Sequence, residues 1–251
     1  MAKDIWNYKT RIKLLGIPVD DIEEENIEKC FENFILDKKI NHIIFIKLKH
    51  CFKARRSKKY RKVLESADLI LPLDRAIVWG IKRLKQKPPV RYMPFDFIIK
   101  LLHFTEKKKG SLYLLGESPK DILKIENNIK TTFPNLRIVG KHHGKVPASS
   151  MEKLLTAIKK ASPDVLIIGS GIKKPEYWIL ENKEYLPPSI VISSPETMKI
   201  FSGKKKDYRK NFYAKKPPLM NIIVNPFKIL KIFYYLYFAL FVLFYRLLGK
   251  Q

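Results

Sequence analysis

Two charged side chains follow a buried strand that ends in two glycines. Residues 165–178 read VLIIGSGIKKPEYW, in which Gly169 and Gly171 precede Lys174 and Glu176. A strand that stops at glycine lets a ligand approach the backbone closely, and a lysine can offset the charge of a diphosphate. The stretch therefore predicts one wall of a ligand-binding crevice.

A second strand ends in glycine within residues 110–120, GSLYLLGESPK. Gly116 closes this strand, Glu117 follows, and Ser118 and Pro119 are typical of a helix N-cap and first turn. The free amides and the positive dipole end of such a helix can hold a diphosphate. An ordinary strand-to-helix turn is the alternative, because this arrangement is common in α/β proteins.

A third strand ends in glycine within residues 133–144, FPNLRIVGKHHG. Gly140 closes the strand and His143 follows. Adjacent histidines are more often hydrogen-bonding groups than metal ligands, and no cysteine or carboxylate lies near enough in sequence to complete a metal site. Strands of a parallel sheet that all stop in glycine build a crevice at their carboxyl ends, where open α/β sheets bind ligands.

Only a parallel sheet would bring these strand ends together. Short apolar runs alternate with polar helical stretches, which predicts an α/β fold with a Rossmann-like, mostly parallel sheet and helices on both faces. The predicted strands are residues 43–46, 69–71, 112–115, 136–139, 165–168 and 190–192. The predicted helices are residues 21–36, 60–66, 75–84, 95–104, 119–132, 150–161 and 175–180.

The charge of the chain indicates an anionic partner. Its 251 residues include 50 Lys+Arg and 24 Asp+Glu, a formal net charge of +26. Anionic lipid, a phosphate-bearing substrate and nucleic acid all fit this charge, although many individual lysines only keep the surface solvated. Nucleic acid is disfavoured, because no RNP, zinc or helix-turn-helix pattern accompanies the lysines. Cys30 and Cys51 form no disulfide framework, which favours a reducing compartment.

The composition changes twice after an α/β domain that we place at residues 1–202. Residues 203–226 form a basic connector interrupted by prolines, and residues 227–251 form a hydrophobic segment. Because this segment is apolar on every side, we expect it to associate with a membrane. A span of about 20 residues would have to include Lys231 and Arg246. An in-plane or partly inserted anchor is therefore favoured, with the basic connector attracted to anionic lipid.

The order of the motifs resembles the WecB/TagA/CpsF glycosyltransferases, also called glycosyltransferase family 26. The likeness extends over roughly residues 12 to 230. The matching segments are GIPVD (16–20), ADLILP (67–72), VRYMPFD (90–96), LLG (114–116), FPNLRIVG (133–140), HHG (142–144), SPDVL (162–166) and GSG (169–171).

The resemblance implies an activity and its partners. Such enzymes transfer an N-acetylmannosamine-type sugar from a UDP-sugar donor to a polyprenyl-diphosphate-linked sugar, at the cytoplasmic face of the membrane, in cell-surface polysaccharide synthesis. The resemblance also implies that the protein needs no dinucleotide cofactor and has no strict need for a metal. Related enzymes whose site is closed by a C-terminal appendage can require self-assembly or membrane contact, so a homo-oligomer is a further expectation.

The resemblance also implies roles for individual residues. Asp74 is the predicted catalytic base, and Arg91 the predicted contact to a phosphate or to the acceptor. The predicted substrate-binding residues are Arg91, Asp96, Gly116, Glu117, Gly140, His143, Gly169, Gly171, Lys174 and Glu176.

Several polar motifs depart from the family pattern. Pro72-Leu73-Asp74 stands where the family has Pro-Asp-Gly, so the aspartate is displaced by one residue. Asp74 can serve as the base if the loop is re-registered; otherwise it caps the helix that starts at Arg75. Residues 47–50, KLKH, replace a Thr-x-Asn element, and Pro175 replaces a glutamine. The alternative function is therefore a catalytically impaired member that binds nucleotide-sugar or lipid.

Overall fold

A computed structural model of the chain describes residues 9–206 and 229–247. The strands in these ranges are β1 Lys9–Leu14, β2 Ile17–Ile22, β3 Ile40–Ile46, β4 Leu69–Pro72, β5 Ser111–Leu115, β6 Arg137–His142, β7 Val165–Ile168 and β8 Ser189–Ser193. The helices are α1 Ile27–Leu36, α2 Leu48–Arg56, α3 Lys58–Glu65, α4 Arg75–Arg83, α5 Pro94–Lys107, α6 Pro119–Thr132, α7 Met151–Ala161, α8 Pro175–Glu181, α9 Pro195–Phe201 and α10 Ile229–Leu247. Most of the proposed connector, residues 207–226, lies outside the described residues.

The predicted α/β fold is confirmed. Strands β3 to β8 form a parallel sheet in the order β4-β3-β8-β7-β5-β6, and β1 pairs with β2 in an antiparallel hairpin. Strands that neighbour one another in the sheet are mostly not neighbours in sequence. The sheet therefore collects chain segments that are far apart onto one carboxyl edge.

Both faces of the sheet are covered, because successive strand residues point to opposite sides. On one face, strand residues such as Ile43 and Ile167 pack with α1, α5, α6 and α9. On the other face, Ile44 and Ile70 pack with the hairpin, α2, α3 and α4, while Leu166 packs with α7 and α8. The strands of the sheet are accordingly rich in buried aliphatic residues, as expected for a parallel sheet.

The prediction that a helix starts at Asp21 is wrong. Asp21 lies in β2, where it pairs with Thr10, and α1 begins only at Ile27. The hairpin turn is formed by Leu15 and Gly16, both with positive φ, a geometry that suits a tight two-residue connection. Asp20 then anchors the hairpin, since its buried carboxylate accepts a hydrogen bond from the Ile70 amide at 2.7 Å.

The connections after β3 and β8 leave the sheet on opposite faces. Helix α2 follows β3 on one side, and α9 follows β8 on the other. Since β3 and β8 are neighbours, a crevice opens between the two connections at the carboxyl edge. This crevice lies between the end of β4 and the glycine-containing ends of β5, β6 and β7.

The C-terminal helix α10 packs as a third layer on α2 and α4. Phe238 is buried at 1% exposure, and its ring centroid lies 6.2 Å from that of Phe52 and 6.3 Å from that of Trp79. In residues 9–206 and 229–247, every helix falls short of the combined length and apolar character that crossing a membrane requires.

Candidate active site

The loops after β5, β6 and β7 are joined by backbone hydrogen bonds, and we call residues 116–118, 142–144 and 169–171 the glycine clamp. The Gly116 amide donates to the His142 carbonyl at 2.9 Å, and the Gly169 amide donates to the Leu115 carbonyl at 2.7 Å. The Gly144 amide donates to the Glu117 carbonyl at 3.1 Å. Each loop is thus held by at least one other.

The absence of side chains in the glycine clamp lets the loops approach each other. A methyl group on Gly116 would lie 2.8 Å from the Gly169 nitrogen, and one on Gly171 would lie 2.8 Å from the Gly144 Cα. Gly116 also has φ +121°, where other residues are strained. The space that these glycines leave is therefore filled by protein backbone, and any ligand must approach from another side.

The prediction that Gly140 ends its strand is wrong, because β6 continues to His142. Gly140 and Glu117 instead serve contacts within the protein. A methyl group on Gly140 would lie 2.3 Å from the Tyr113 ring on the paired strand. Glu117 is 7% exposed, and its Oε1 accepts a hydrogen bond from the Ser170 amide at 2.7 Å. The Glu117 carboxylate therefore fastens the β5 loop to the β7 loop.

His143 directly follows β6, within the glycine clamp. His142 Nδ1 donates to the His143 carbonyl at 2.6 Å, since a carbonyl can only accept, and the two rings stack at 4.5 Å. The buried Nδ1 of His143 has no hydrogen-bond partner among the described residues. His143 is thus the predicted site residue with an unused polar atom.

The predicted base, Asp74, lies at the opposite end of the crevice and does not cap its own helix. Its side chain makes no capping bond to α4; instead, Oδ2 accepts a hydrogen bond from the Leu48 amide at the start of α2, at 2.8 Å. Burial and, to a lesser extent, the charge of Asp74 together raise the pKa of Cys51 to about 12. Asp74 therefore joins β4 to α2 while its carboxylate stays half-buried.

Arg91 lies next to Asp74, because it contacts the residue before it. No such contact links Asp96 to Asp74 in the described residues. The Arg91 Nη1 donates to the carbonyl of Leu73 at 3.3 Å, so the guanidinium contacts the residue that precedes the predicted base. Asp96 is half-buried in the first turn of α5. Arg91 and Asp74 are brought together from segments that the sequence separates.

The basic turn between β3 and α2 has a fixed geometry. The Lys47 amide donates to His50 Nδ1 at 3.0 Å. Burial and the charges of Lys49, Lys53 and Lys47 lower the pKa of His50 to about 3, so its imidazole stays neutral and can accept this bond. We call residues 47–50, residues 73–75 and Arg91 the β3–β4 edge.

Charges that follow the neighbouring strands β3 and β8 act on one another. A hydrogen bond from Lys205 is the largest cause of a lowered pKa at Glu196, in the first turn of α9, and the Lys47 charge also contributes. Lys47 follows β3 and Glu196 follows β8, so both charges lie at the carboxyl edge of the sheet.

Lys174 and Glu176 lie in different surroundings, one exposed and the other half-buried. Lys174 is exposed at the N-cap of α8, with φ +49°. Glu176 is half-buried, and its charge adds to burial in raising the pKa of Tyr60 on α3. Trp178 is 8% exposed and donates from Nε1 to the Met151 sulfur at 3.3 Å, which makes it a packing residue.

Tyr234 of α10 packs on Phe52 of α2, with ring centroids 4.8 Å apart, and α2 is the helix whose Leu48 amide donates to Asp74. Neither Tyr234 nor its neighbour Tyr235 was among the predicted site residues. Burial raises the pKa of Tyr234 to about 12, with added effects from Cys51 and Asp74. Burial and the Asp74 charge also raise the pKa of Tyr235. Because Tyr234 lies far from α2 in sequence, no local signal predicts this contact.

The arrangement can bind an anionic ligand and accept a proton. Lys47 and the half-buried carboxylate of Asp74 lie just after the carboxyl ends of β3 and β4, and Arg91 contacts the Leu73 carbonyl. The glycine clamp lies at the carboxyl ends of β5, β6 and β7 of the same sheet. Within the described residues, no three His, Cys, Asp or Glu side chains converge into a group that could hold a metal ion.

Residues 12–248 match the family described as Glycosyl transferase WecG/TagA/CpsF family. Three similar proteins are each named N-acetylglucosaminyldiphosphoundecaprenol N-acetyl-beta-D-mannosaminyltransferase. That of Bacillus subtilis is 27% identical over 70% of this chain and 68% of its own length. That of Bacillus spizizenii is 25% identical over 62% and 60%, and that of Staphylococcus aureus 21% over 78% and 77%.

Proposed function

Because this chain belongs to the Glycosyl transferase WecG/TagA/CpsF family, we propose that it transfers an N-acetylmannosamine-like N-acetylhexosamine from a UDP-sugar donor. The acceptor is a polyprenyl-diphosphate-linked sugar, and the product serves cell-surface polysaccharide synthesis. The names of the relatives support this choice, since they describe a mannosaminyl transfer to N-acetylglucosaminyldiphosphoundecaprenol.

The position of Asp74 is the observation that carries the proposal. Its carboxylate stands at the end of β4, at the carboxyl edge, with Oδ2 held by the Leu48 amide at 2.8 Å. Arg91 contacts the adjacent Leu73 carbonyl at 3.3 Å. A carboxylate fixed through one oxygen keeps the other available for proton transfer, and a nearby guanidinium suits a phosphate.

The reaction is an acid–base displacement. Asp74 takes the proton of the acceptor hydroxyl while the hydroxyl oxygen bonds to the anomeric carbon of the donor sugar. The bond from that carbon to the diphosphate oxygen breaks, and UDP leaves with the electron pair. Arg91 and Lys174 offset the negative charge on the phosphates, an electrostatic role that matters most as the leaving group develops.

Membrane association is part of the proposal, because the acceptor is a lipid. We assign residues 1–202 to the catalytic domain, residues 203–226 to a basic connector and residues 227–251 to a segment that associates with the cytoplasmic face of the membrane. The net charge of +26 supports attraction to anionic lipid.

A second candidate function is binding of a nucleotide-sugar or lipid without turnover. The observation that favours it is the role of Asp74 in the fold, where the carboxylate caps α2 at 2.8 Å from the Leu48 nitrogen. A structural cap needs no proton-transfer role. The displaced position of this aspartate relative to the family pattern points the same way.

The assay that separates the two functions is UDP release. Purified protein is given a panel of UDP-sugars and a polyprenyl-diphosphate-linked acceptor, and Asp74→Asn is expected to slow release by about a hundredfold or more. Asp164→Asn is the matched control, because Asp164 also accepts a backbone amide, that of Ser111 at 2.8 Å, but at the amino end of β7.

The outcomes are distinct. Equal rates for wild type and Asp74→Asn would remove Asp74 from the role of base. UDP binding by the wild type without release from any donor would favour the binding protein. A loss in Asp164→Asn as large as that in Asp74→Asn would indicate a general effect on folding.

A further inference from the structure

The turn between β3 and α2, residues 47–50, fixes two side chains of the β3–β4 edge. Its Lys47 amide donates to His50 Nδ1 at 3.0 Å, and its Leu48 amide donates to Asp74 Oδ2 at 2.8 Å. The two amides belong to consecutive residues. The His50 imidazole and the predicted base are therefore fastened to the same peptide segment.

His50 retains one nitrogen for an external partner. A ring nitrogen that accepts a hydrogen bond carries no hydrogen, so the neutral imidazole has its hydrogen on Nε2. Within the described residues, Nε2 makes no hydrogen bond and is not a fully buried atom. The Tyr60 ring, whose centroid lies 6.1 Å away, also limits rotation of the imidazole. His50 thus presents an N–H donor in a fixed direction, whereas capping of α2 uses Nδ1 alone.

The charges around this donor are positive. Burial is the largest cause of the lowered pKa of His50, and the other causes are the charges of Lys49, Lys53 and Lys47. The sequence KLKHCFK, residues 47–53, contains no aspartate or glutamate. A positive potential of this kind favours an anionic oxygen over the hydroxyl of a neutral sugar.

Two carboxylates at the carboxyl edge leave this positive charge in place. Asp74 is bound to the Leu48 amide, and Glu196, which follows β8, is paired with Lys205. Lys47 and Lys49 form no ion pair within the described residues. Their ammonium groups are therefore available to an anionic ligand that also contacts His50.

We propose that His50 Nε2–H and the ammonium groups of Lys47 and Lys49 bind a phosphate oxygen of a diphosphate-bearing substrate. Such a contact is a charge-assisted hydrogen bond, which is stronger than one between neutral groups. The lysines and the histidine stand where the family pattern has a Thr-x-Asn element, so this phosphate contact distinguishes the chain from that pattern.

The phosphate site deepens the proposed function, and rests on it for the identity of the substrates. Both the UDP-sugar donor and the polyprenyl-diphosphate-linked acceptor contain a diphosphate. The acceptor is favoured, because Asp74 takes a proton from the acceptor hydroxyl and is held by the same turn as His50. The attacking hydroxyl and the diphosphate of the acceptor belong to one sugar unit, so both can contact this edge.

Calorimetric titration of the full chain tests the site without turnover. The two probes are UDP and a short-chain, water-soluble polyprenyl-diphosphate-linked N-acetylglucosamine. His50→Gln and His50→Glu are a matched pair, since either side chain can accept the Lys47 amide at this helix position, but only glutamine can donate outward. His50→Gln should bind the acceptor probe within about threefold of the wild type, and His50→Glu at least about tenfold more weakly. A role in capping alone would leave both variants with unchanged binding.

A second variant tests the lysines and leaves His50 in place. Lys47→Met/Lys49→Met should weaken binding of the acceptor probe by about tenfold or more. Lys58→Met/Lys62→Met is the matched control, because it removes two positive charges from α3 and should bind like the wild type. Thermal melts of each variant identify any change in folding.

The two probes separate the possible sources of the phosphate. Weaker binding of UDP in His50→Glu, with unchanged binding of the acceptor probe, would keep the phosphate site and assign it to the donor. Undiminished binding of both probes by His50→Glu and by Lys47→Met/Lys49→Met would overturn the proposal, as would a wild type that binds neither probe.

UDP release is scored separately, so that the two proposals can fail independently. Binding that depends on His50 and the lysines, without release of UDP from any donor, would reject the transfer reaction alone. Release of UDP by a wild type whose binding of both probes is insensitive to these variants would reject the phosphate site alone.

Discussion

The two ends of the crevice differ in what fills them. In the glycine clamp, backbone meets backbone, and a methyl group on Gly116 would lie 2.8 Å from a neighbouring main-chain atom. In the β3–β4 edge, side chains do the contacting: Asp74 binds the Leu48 amide and Arg91 binds the Leu73 carbonyl. In the clamp, the space available limits which residues can be accommodated. In the edge, charge and hydrogen bonding limit them.

This difference accounts for where the chain departs from the family pattern. The matching segments 114–116, 142–144 and 169–171 supply the glycines of the clamp, where no larger residue fits. The departing segments 47–50 and 72–74 overlap the edge, where a substitution changes chemistry without blocking the fold. Changes in the clamp should therefore affect stability, and changes in the edge should affect activity or its pH dependence.

The largest effect is expected from Gly116→Ala. Its Cβ would meet the Gly169 backbone at 2.8 Å, at a residue with φ +121°. Overpacking and strain together should lower the free energy of unfolding by about 3 kcal/mol or more, which urea denaturation can measure.

Gly16→Ala separates strain from overpacking. Gly16 also has positive φ, +78°, but nothing lies within 4 Å of its Cβ position. Gly16→Ala should lower the free energy of unfolding by only about 1–2 kcal/mol. Equal losses in the two variants would show that close packing of the clamp contributes nothing to stability.

A moderate effect on the free energy of unfolding is expected from a change in pH, and it should originate at His42 in β3. Burial is the largest cause that lowers the pKa of His42 from 6.5 to about 3. The unfolded chain therefore takes up a proton as pH falls below 6.5, while the folded chain stays neutral. The contribution of neutral His42 to the free energy of unfolding is complete above this pH. Through His42 alone, the free energy of unfolding should fall by about 2 kcal/mol between pH 7 and pH 5.

His42→Phe tests the origin of this pH dependence. The buried Nε2 of His42 has no hydrogen-bond partner among the described residues, so an apolar ring can replace it. Urea denaturation at pH 7 and pH 5 should show a decline that is smaller by about 2 kcal/mol than in the wild type. His103→Gln, on the exposed side of α5, is the control for removing an imidazole; an unchanged decline in His42→Phe would contradict the assignment.

The smallest effect is expected at an ion pair that joins α3 to α8, away from both ends of the crevice. Lys59 Nζ lies 2.6 Å from Glu181 Oε1, and the two side chains are 64% and 53% exposed. Lys59→Ala should therefore cost about 0.5 kcal/mol or less in unfolding free energy. A loss comparable to that of Gly116→Ala would mean that charge pairs, and not clamp packing, hold the fold.

Local patterns predicted many elements well and failed where distant contacts decide. The predicted helix at 119–132 matches α6, because Ser118 caps it and Pro119 starts it. Helix α2 was not predicted, since its basic residues hide a narrow buried side formed by Leu48, Cys51 and Ala54. The incorrect helix start at Asp21 has a similar cause: the hairpin pairing and the contact of Asp20 with β4 override local preference.

The sequence by itself determined the parallel α/β fold, the glycosyltransferase family and the glycine-containing loops at the carboxyl edge, because hydrophobic period, turn residues and motif order are local properties of the chain. Tertiary structure alone decided how those residues are used. It turned the glycines inward against each other, directed Asp74 to the Leu48 amide of another helix, and packed α10 on α2 and α4 through Phe238. These are contacts between segments far apart in sequence, whose geometry depends on the packing of the whole sheet.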